Sequence, residues 1–401
     1  MLTRRSLLLT AAALPASAQL TTPALKSRRA EAHPITASER EARTERAREL
    51  MTANKLDAIC LTGGTSLRYF TGIRWGTSER LFAYVIPRKA DPFYICPAFE
   101  EERAREQAGD KPRILTWQED EDPYALVGKG LASSAITIGM EERTIFMYAD
   151  GIAHSNRGST VVSATPVTAG CRARKSSAEL ALLKLANNVT LEAYRAAWKQ
   201  VHEGMTNRDL TTLIEAAFTQ LGFPGNVSVQ VGEFSALPHG SAKPQQIREG
   251  SIVMMDDGCA VEGYSADVTR TVVFGKPTDK MRKLHDIVRR AQSAALGAAK
   301  PGAPCEAVDM AARKVIEDGG FGPGYKYFTH RLGHGIGLDG HEWPYLVRGN
   351  KLPLAPGMTF SDEPGIYIRG EFGMRHEDCM YITENGAELF TPQCGPLDAG
   401  I

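Results

Sequence analysis

The feature that most constrains this 401-residue chain is the clustering of acids and histidines in four short segments between residues 239 and 377. The first runs from Met255-Asp256-Asp257-Gly258 to Gly263-Tyr264-Ser265-Ala266-Asp267-Val268-Thr269-Arg270 and reads as a β-hairpin turning around Ala260 to Gly263. Asp256 and Asp267 stand 11 positions apart on opposite arms, so the turn can bring both carboxylates to one face. Two acids at the ends of buried strands are costly unless a cation neutralises them. A surface hairpin with two solvated acids has the same pattern, and this segment alone does not separate the two.

The second segment is His330-Arg331-Leu332-Gly333-His334-Gly335-Ile336-Gly337-Leu338-Asp339-Gly340-His341-Glu342. Its Gly335, Gly337 and Gly340 match a dinucleotide fingerprint, but no apolar strand leads in and Glu342-Trp343-Pro344 opens no helix. His330 and His334 have zincin spacing, yet Arg331 stands where the general-base Glu belongs and the glycines would break the helix. What is left is three histidines on a glycine-flexed loop whose backbone can approach a ligand closely.

Asp362-Glu363-Pro364-Gly365 and Met374-Arg375-His376-Glu377-Asp378 complete the set, each placing a Glu beside a β-like apolar run. Either Glu alone would be explained by a surface ion pair. Together Asp256, Asp267, His334, Glu363 and Glu377 make four carboxylates and one imidazole, whose charge calls for about two divalent cations sharing a bridging water or hydroxide. Oxygen-rich ligation with one nitrogen favours Mn²⁺, with Co²⁺, Zn²⁺ or Fe²⁺ by availability.

In type, order and spacing these segments resemble the creatinase, aminopeptidase P and prolidase group of metallopeptidases, family M24. The likeness covers about residues 175 to 392, and the stretch before it resembles that group's N-terminal domain. It implies an α+β protein: a pita-bread catalytic domain preceded by an α/β creatinase-like domain. It implies that Asp256, Asp267, His334, Glu363 and Glu377 ligate two metals. It further implies that His239, His341 and Arg375 serve around them, and that Glu363 also shuttles a proton. The expected activity is hydrolysis of the bond between an N-terminal residue and a following proline, by a hydroxide that the metals make available. Creatinase-like and metal-free binding relatives have lost ligand residues, whereas all five are present here. Methionyl aminopeptidase shares the catalytic fold but normally lacks the N-terminal domain. A metal-dependent hydrolase or lyase of a small non-peptide substrate is the alternative.

Along the chain, strands alternating with helices over residues 37–170 indicate the α/β domain, and residues 175–395 the catalytic one. Capping boxes at Ser38/Glu41 and Ser176/Glu179 mark helix starts. Met1 to Ala18 has a charged start, an apolar run and an Ala-Ser-Ala end, the form of an export signal. Arg4 and Arg5 resemble a twin-arginine signal, so a periplasmic or secreted protein without a membrane anchor after processing is expected. Residues 19–36 read as a flexible leader. The 47 basic and 47 acidic residues leave no global field, which argues against a nucleic-acid partner. A small peptide substrate and a homodimer are the expected partners. Seven scattered cysteines without a CxxC argue against a disulfide framework or zinc ribbon.

Overall fold

The computed structural model describes residues 24–132 and 136–401, and the expected export signal lies outside them. The N-terminal domain is a six-stranded sheet flanked by helices. Its strands are β1 (Ala58–Thr62), β2 (Ala83–Pro87), β3 (Phe93–Pro97), β4 (Arg113–Trp117), β5 (Thr137–Met140) and β6 (Thr160–Ser163). They lie in the order β4-β3-β2-β1-β5-β6. The β1–β2 and β2–β3 pairs are antiparallel, and the other neighbours are parallel. β1 and β3 are buried along their whole length, as strands covered on both faces must be.

Six helices cover this sheet: α1 (Ala37–Ala53), α2 (Thr65–Thr71), α3 (Glu101–Ala108), α4 (Ala125–Leu131), α5 (Phe146–Ser155) and α6 (Thr165–Arg172). The capping box of α1 is formed by Thr36 and Glu39, two residues before the expected pair. Both pairs satisfy the same spacing rule. Starting at Thr36 leaves Ile35 just outside the helix, where it is buried in the catalytic domain's core. The leader is likewise not free over its described part. Arg28 N–H donates to Leu221 O at 2.9 Å, Arg28 pairs with Glu192, and Leu25 and Ala32 pack on the same core. Two apolar anchors separated by polar residues carry no periodicity, so the pattern alone reads as leader.

The catalytic domain consists of two similar halves, each a helix pair packed on a sheet. In the first, α7 (Ser177–Trp198) and α8 (Asn207–Leu221) cover the sheet β11-β8-β7. Its strands are β7 (Ser228–Val231), β8 (Ile252–Asp256) and β11 (Arg270–Val273), with a small ribbon of β9 (Ala260–Val261) and β10 (Tyr264–Ser265) in between. The Ser176/Glu179 box caps α7 as expected, and Thr206 with Asp209 caps α8.

In the second half, α9 (Asp279–Ala298) and α10 (Cys305–Asp318) pack on a five-stranded sheet. That sheet comprises β12 (Gly333–Gly335), β13 (Glu342–Leu346), β14 (Thr359–Asp362), β17 (Asp378–Ile382) and β18 (Ala387–Leu389), in the order β13-β12-β14-β17-β18. The hairpin of β15 (Gly365–Ile368) and β16 (Phe372–Arg375) stands beside it. All seven cysteines are buried free thiols.

Candidate metal centre

The second arm of the expected hairpin forms a regular ladder only from Arg270, which pairs with Met255. Before that the hairpin is kinked: Asp257 adopts φ 86°, and only single bonds such as Val268 N–H to Asp257 O at 3.1 Å continue the pairing. The kink matters because it turns Asp256, at the end of β8, and Asp267, just before β11, toward one another. From the other half come His334 on β12, Glu363 after β14, and Glu377 between β16 and β17. Asp256, Asp267 and Glu377 each offer a ligand atom within 4.8 Å of the others, and so do His334, Glu363 and Glu377. Glu377 belongs to both groups. The two half-domains therefore meet at one cluster.

All eight residues expected at the site line one cavity of about 670 Å³, with His239 and His341 at its exposed rim. The His341 ring stacks on that of His334, centroids 3.6 Å apart. His334 Nδ1 lies 3.1 Å from Gly335 O, so it carries the proton and leaves the Nε2 lone pair free. That Nε2 faces Glu363 Oε1 at 3.4 Å and Asp267 Oδ2 at 3.6 Å. Burial lowers the His334 pKa to about 3, which keeps the ring neutral.

The carboxylates divide by their partners. Burial raises the Asp256 pKa, but Arg375 and the Thr269 hydroxyl outweigh it and hold the group below the usual range. Burial raises Asp267 and Glu377 well above theirs, reinforced by neighbouring carboxylates, and raises Glu363 to about 8. Glu377 Oε1 is buried without a hydrogen-bond partner. Four acids beside one fully engaged arginine, an orphaned carboxylate oxygen and a lone pair aimed at them form a donor set that fits divalent cations.

Arg375 is held in place by several groups. It pairs with Asp256, and it donates to Thr269 Oγ1 at 2.9 Å, Tyr367 OH at 3.1 Å and Pro238 O at 3.2 Å. Thr269 Oγ1 also lies 2.5 Å from Asp256 Oδ1 and 2.6 Å from Glu377 Oε2, so one hydroxyl links acids from both halves. Tyr367 OH is 2.7 Å from His330 Nε2. Thr269 and Tyr367 carry no expectation from the sequence, and His330 is one of the three loop histidines with no role assigned to it there. Thr269 sits inside the first segment, two residues after Asp267, but a threonine just before a strand has no distinguishing signal. Arg331 also reaches the cavity and stacks on Tyr345, its guanidinium 4.0 Å from the ring centre.

Comparison with known proteins places this geometry. Residues 181–384 match the model of metallopeptidase family M24, and residues 43–174 match that of the creatinase/prolidase N-terminal domain. The Xaa-Pro dipeptidase of Lactobacillus delbrueckii subsp. lactis is 34% identical over 349 residues, 84% of this chain and 93% of the relative. The dipeptidase PepE of Mycobacterium ulcerans superposes with a TM-score of 0.86 at 33% identity, covering 91% of this chain and 99% of that one. The prolidase of Thermococcus sibiricus gives 0.81 at 29% identity, covering 91% and 100%. The fold is accordingly the pita-bread domain behind a creatinase-like one. Matched over half its length by the family model and over most of it by these relatives, the chain belongs to metallopeptidase family M24.

Proposed function

We propose that the protein is an Xaa-Pro dipeptidase that works with two divalent cations. Asp256, Asp267 and Glu377 would hold one, and His334, Glu363 and Glu377 the other, with Glu377 shared. The observation that carries this reading is the unneutralised donor set: two overlapping ligand groups whose acids, apart from Asp256, are driven toward their neutral forms when no cation is present. Cations bound there supply the charge that polarises a peptide carbonyl and makes a water acidic enough to react near neutral pH. The oxygen-rich donors favour Mn²⁺.

The chain's own groups complete the reaction. Glu363 takes the proton of the attacking water and delivers it to the proline nitrogen as the C–N bond breaks, serving as base and then as acid. His341, whose pKa is lowered by burial and by Arg331, is a neutral N–H donor at the cavity rim. With His239 it is placed to stabilise the negative charge developing on the carbonyl oxygen. Arg375 fixes Asp256, and Thr269 ties Asp256 to Glu377, so the acids cannot swing apart as charge moves. His341→Ala should keep both metals and lower kcat by about 10²- to 10³-fold, the effect of removing one oxyanion donor. Metal analysis beside kinetics checks this, and loss of metal would refute the donor role.

Arg331 selects the dipeptide. Arg375 is fully engaged, whereas among the described residues the Arg331 side chain makes no ion pair or hydrogen bond and lies on the cavity wall. A free proline carboxylate would pair with it. Several of the relatives are Xaa-Pro dipeptidases. The test is turnover of Xaa-Pro against Xaa-Pro-Yaa and the Xaa-Pro amide with added Mn²⁺. The free dipeptide should be strongly preferred. Arg331→Gln should raise its KM about 10- to 100-fold, the loss of one charge-assisted contact, without changing that of the amide. Equal cleavage of all three substrates would overturn the dipeptidase assignment.

A further inference from the structure

The loop carrying His341 is gripped from outside the catalytic domain. Between β12 and β13 the chain turns at Asp339 and returns through His341 and Glu342. Asp339 Oδ1 accepts from Thr65 Oγ1 at 2.7 Å, at the start of α2, and pairs with Arg143 at 3.1 Å. Its Oδ2 accepts from Arg172 Nη2 at 2.5 Å, and the same nitrogen donates to Glu342 Oε2. Glu342 Oε1 accepts from Lys175 Nζ at 2.5 Å, so both its oxygens are committed. Arg143 also donates to the His341 carbonyl at 3.1 Å. Arg172 closes α6 and is 4% exposed. A Cβ on Gly337 would lie 2.5 Å from Glu342 Oε1, so the loop is folded tightly around this cluster.

We propose that Arg172 is a positioning residue for catalysis. By binding the acids on both sides of His341, it holds that ring against His334 and over the cavity. The proposal rests on the reading of His341 given above. Buried ion pairs of this kind add little net stability compared with apolar packing, and fixing geometry is a recognised use of them. Here the geometry fixed is that of a side chain that stacks on a member of the metal-binding set. The N-terminal domain thus reaches the chemistry through Arg172, with Arg143 and Thr65 on the same loop, although none of the residues that line the cavity belongs to it.

The test is a double-mutant cycle on the full-length, metal-loaded protein. Arg172→Gln should lower kcat for Xaa-Pro about 10- to 100-fold, as a misplacement of about 1 Å can, with KM and metal content unchanged. In a His341→Ala background the same substitution should change kcat by less than about twofold, because the two act through one ring. Equal losses in both backgrounds would overturn the proposal, as would full activity of Arg172→Gln when His341→Ala is impaired. If His341→Ala is itself fully active, the reading of His341 falls and this proposal falls with it. Should Arg172→Gln not fold, Asp339→Asn, which breaks the Asp339 side of the grip and leaves Arg172 on Glu342, takes its place in the cycle with a smaller expected loss.

Discussion

Asp267→Ala should leave fewer than two metal ions per chain and lower kcat/KM for Xaa-Pro by at least about 10³-fold, or roughly 4 kcal/mol of transition-state stabilisation. The size follows from how Asp267 differs from Asp256. Asp256 has a resident cation in Arg375 and a hydroxyl donor in Thr269. Asp267 has neither. Its carboxylate faces His334 at 3.6 Å, and burial together with Asp256 and Glu363 pushes its pKa well above the usual range. Its charge is useful to the fold only when a cation is bound, so its removal weakens metal binding while leaving the packing largely intact. Asp267 belongs to the ligand group of one cation, and its carboxylate lies 3.6 Å from His334 of the other group, so the loss extends beyond one position. Metal analysis of the purified variant, beside its kinetics and circular dichroism, checks the outcome. Two metals per chain with alanine at 267 would sink the ligand assignment.

The site is more legible in the sequence than the fold around it, for a physical reason. Charged residues in apolar strands are expensive to bury, so Asp256, Glu363 and Glu377 stand out against their neighbours without any structure. Helix starts are legible where a cap and an acid coincide, as at Ser176/Glu179. The rule slips where two overlapping pairs satisfy it, as at Thr36/Glu39 and Ser38/Glu41, because the tertiary anchor Ile35 decides between them. The short helix α2 is hidden by its β-branched and aromatic residues, and its stability comes from packing: Leu67, Tyr69 and Phe70 are buried. The supporting groups are hidden differently. Thr269, Tyr367 and Arg172 are ordinary residues whose partners lie 8 to 170 positions away, and only the folded chain brings those partners together. The second arm of the hairpin is interrupted at Asp267, because turning two acids toward one point requires leaving the ladder.

Exhaustive chelation should abolish turnover, and Mn²⁺ or Co²⁺ should restore it. The metal-free protein should in addition become less stable as pH rises from 7 to 8.5. Without cations, burial and mutual repulsion raise Glu363 to about 8 and place Asp267 and Glu377 well above the usual range. In the unfolded chain these groups ionise near pH 4. A group whose pKa is raised by folding contributes stability that is fully present below its unfolded pKa and is lost as pH rises through the folded one. Above pH 7 the folded metal-free protein thus holds protons that the unfolded chain has released. Each such proton costs about 1.4 kcal/mol per pH unit until the folded group itself ionises. Asp256 has the opposite shift and is ionised in both states throughout this window. The buried histidines, lowered to about 3 at His330 and His334, cost stability only as pH falls below 7, where the unfolded imidazole takes up a proton that the folded one does not, so the chosen window isolates the acids. With cations bound the acids are ionised in both states and this slope disappears. Thermal unfolding of matched metal-free and metal-loaded samples should therefore diverge with rising pH, with Tm of the metal-free protein falling by a few degrees per unit. Parallel curves, or full activity in protein shown to be free of metal, would remove the basis for placing cations among these carboxylates.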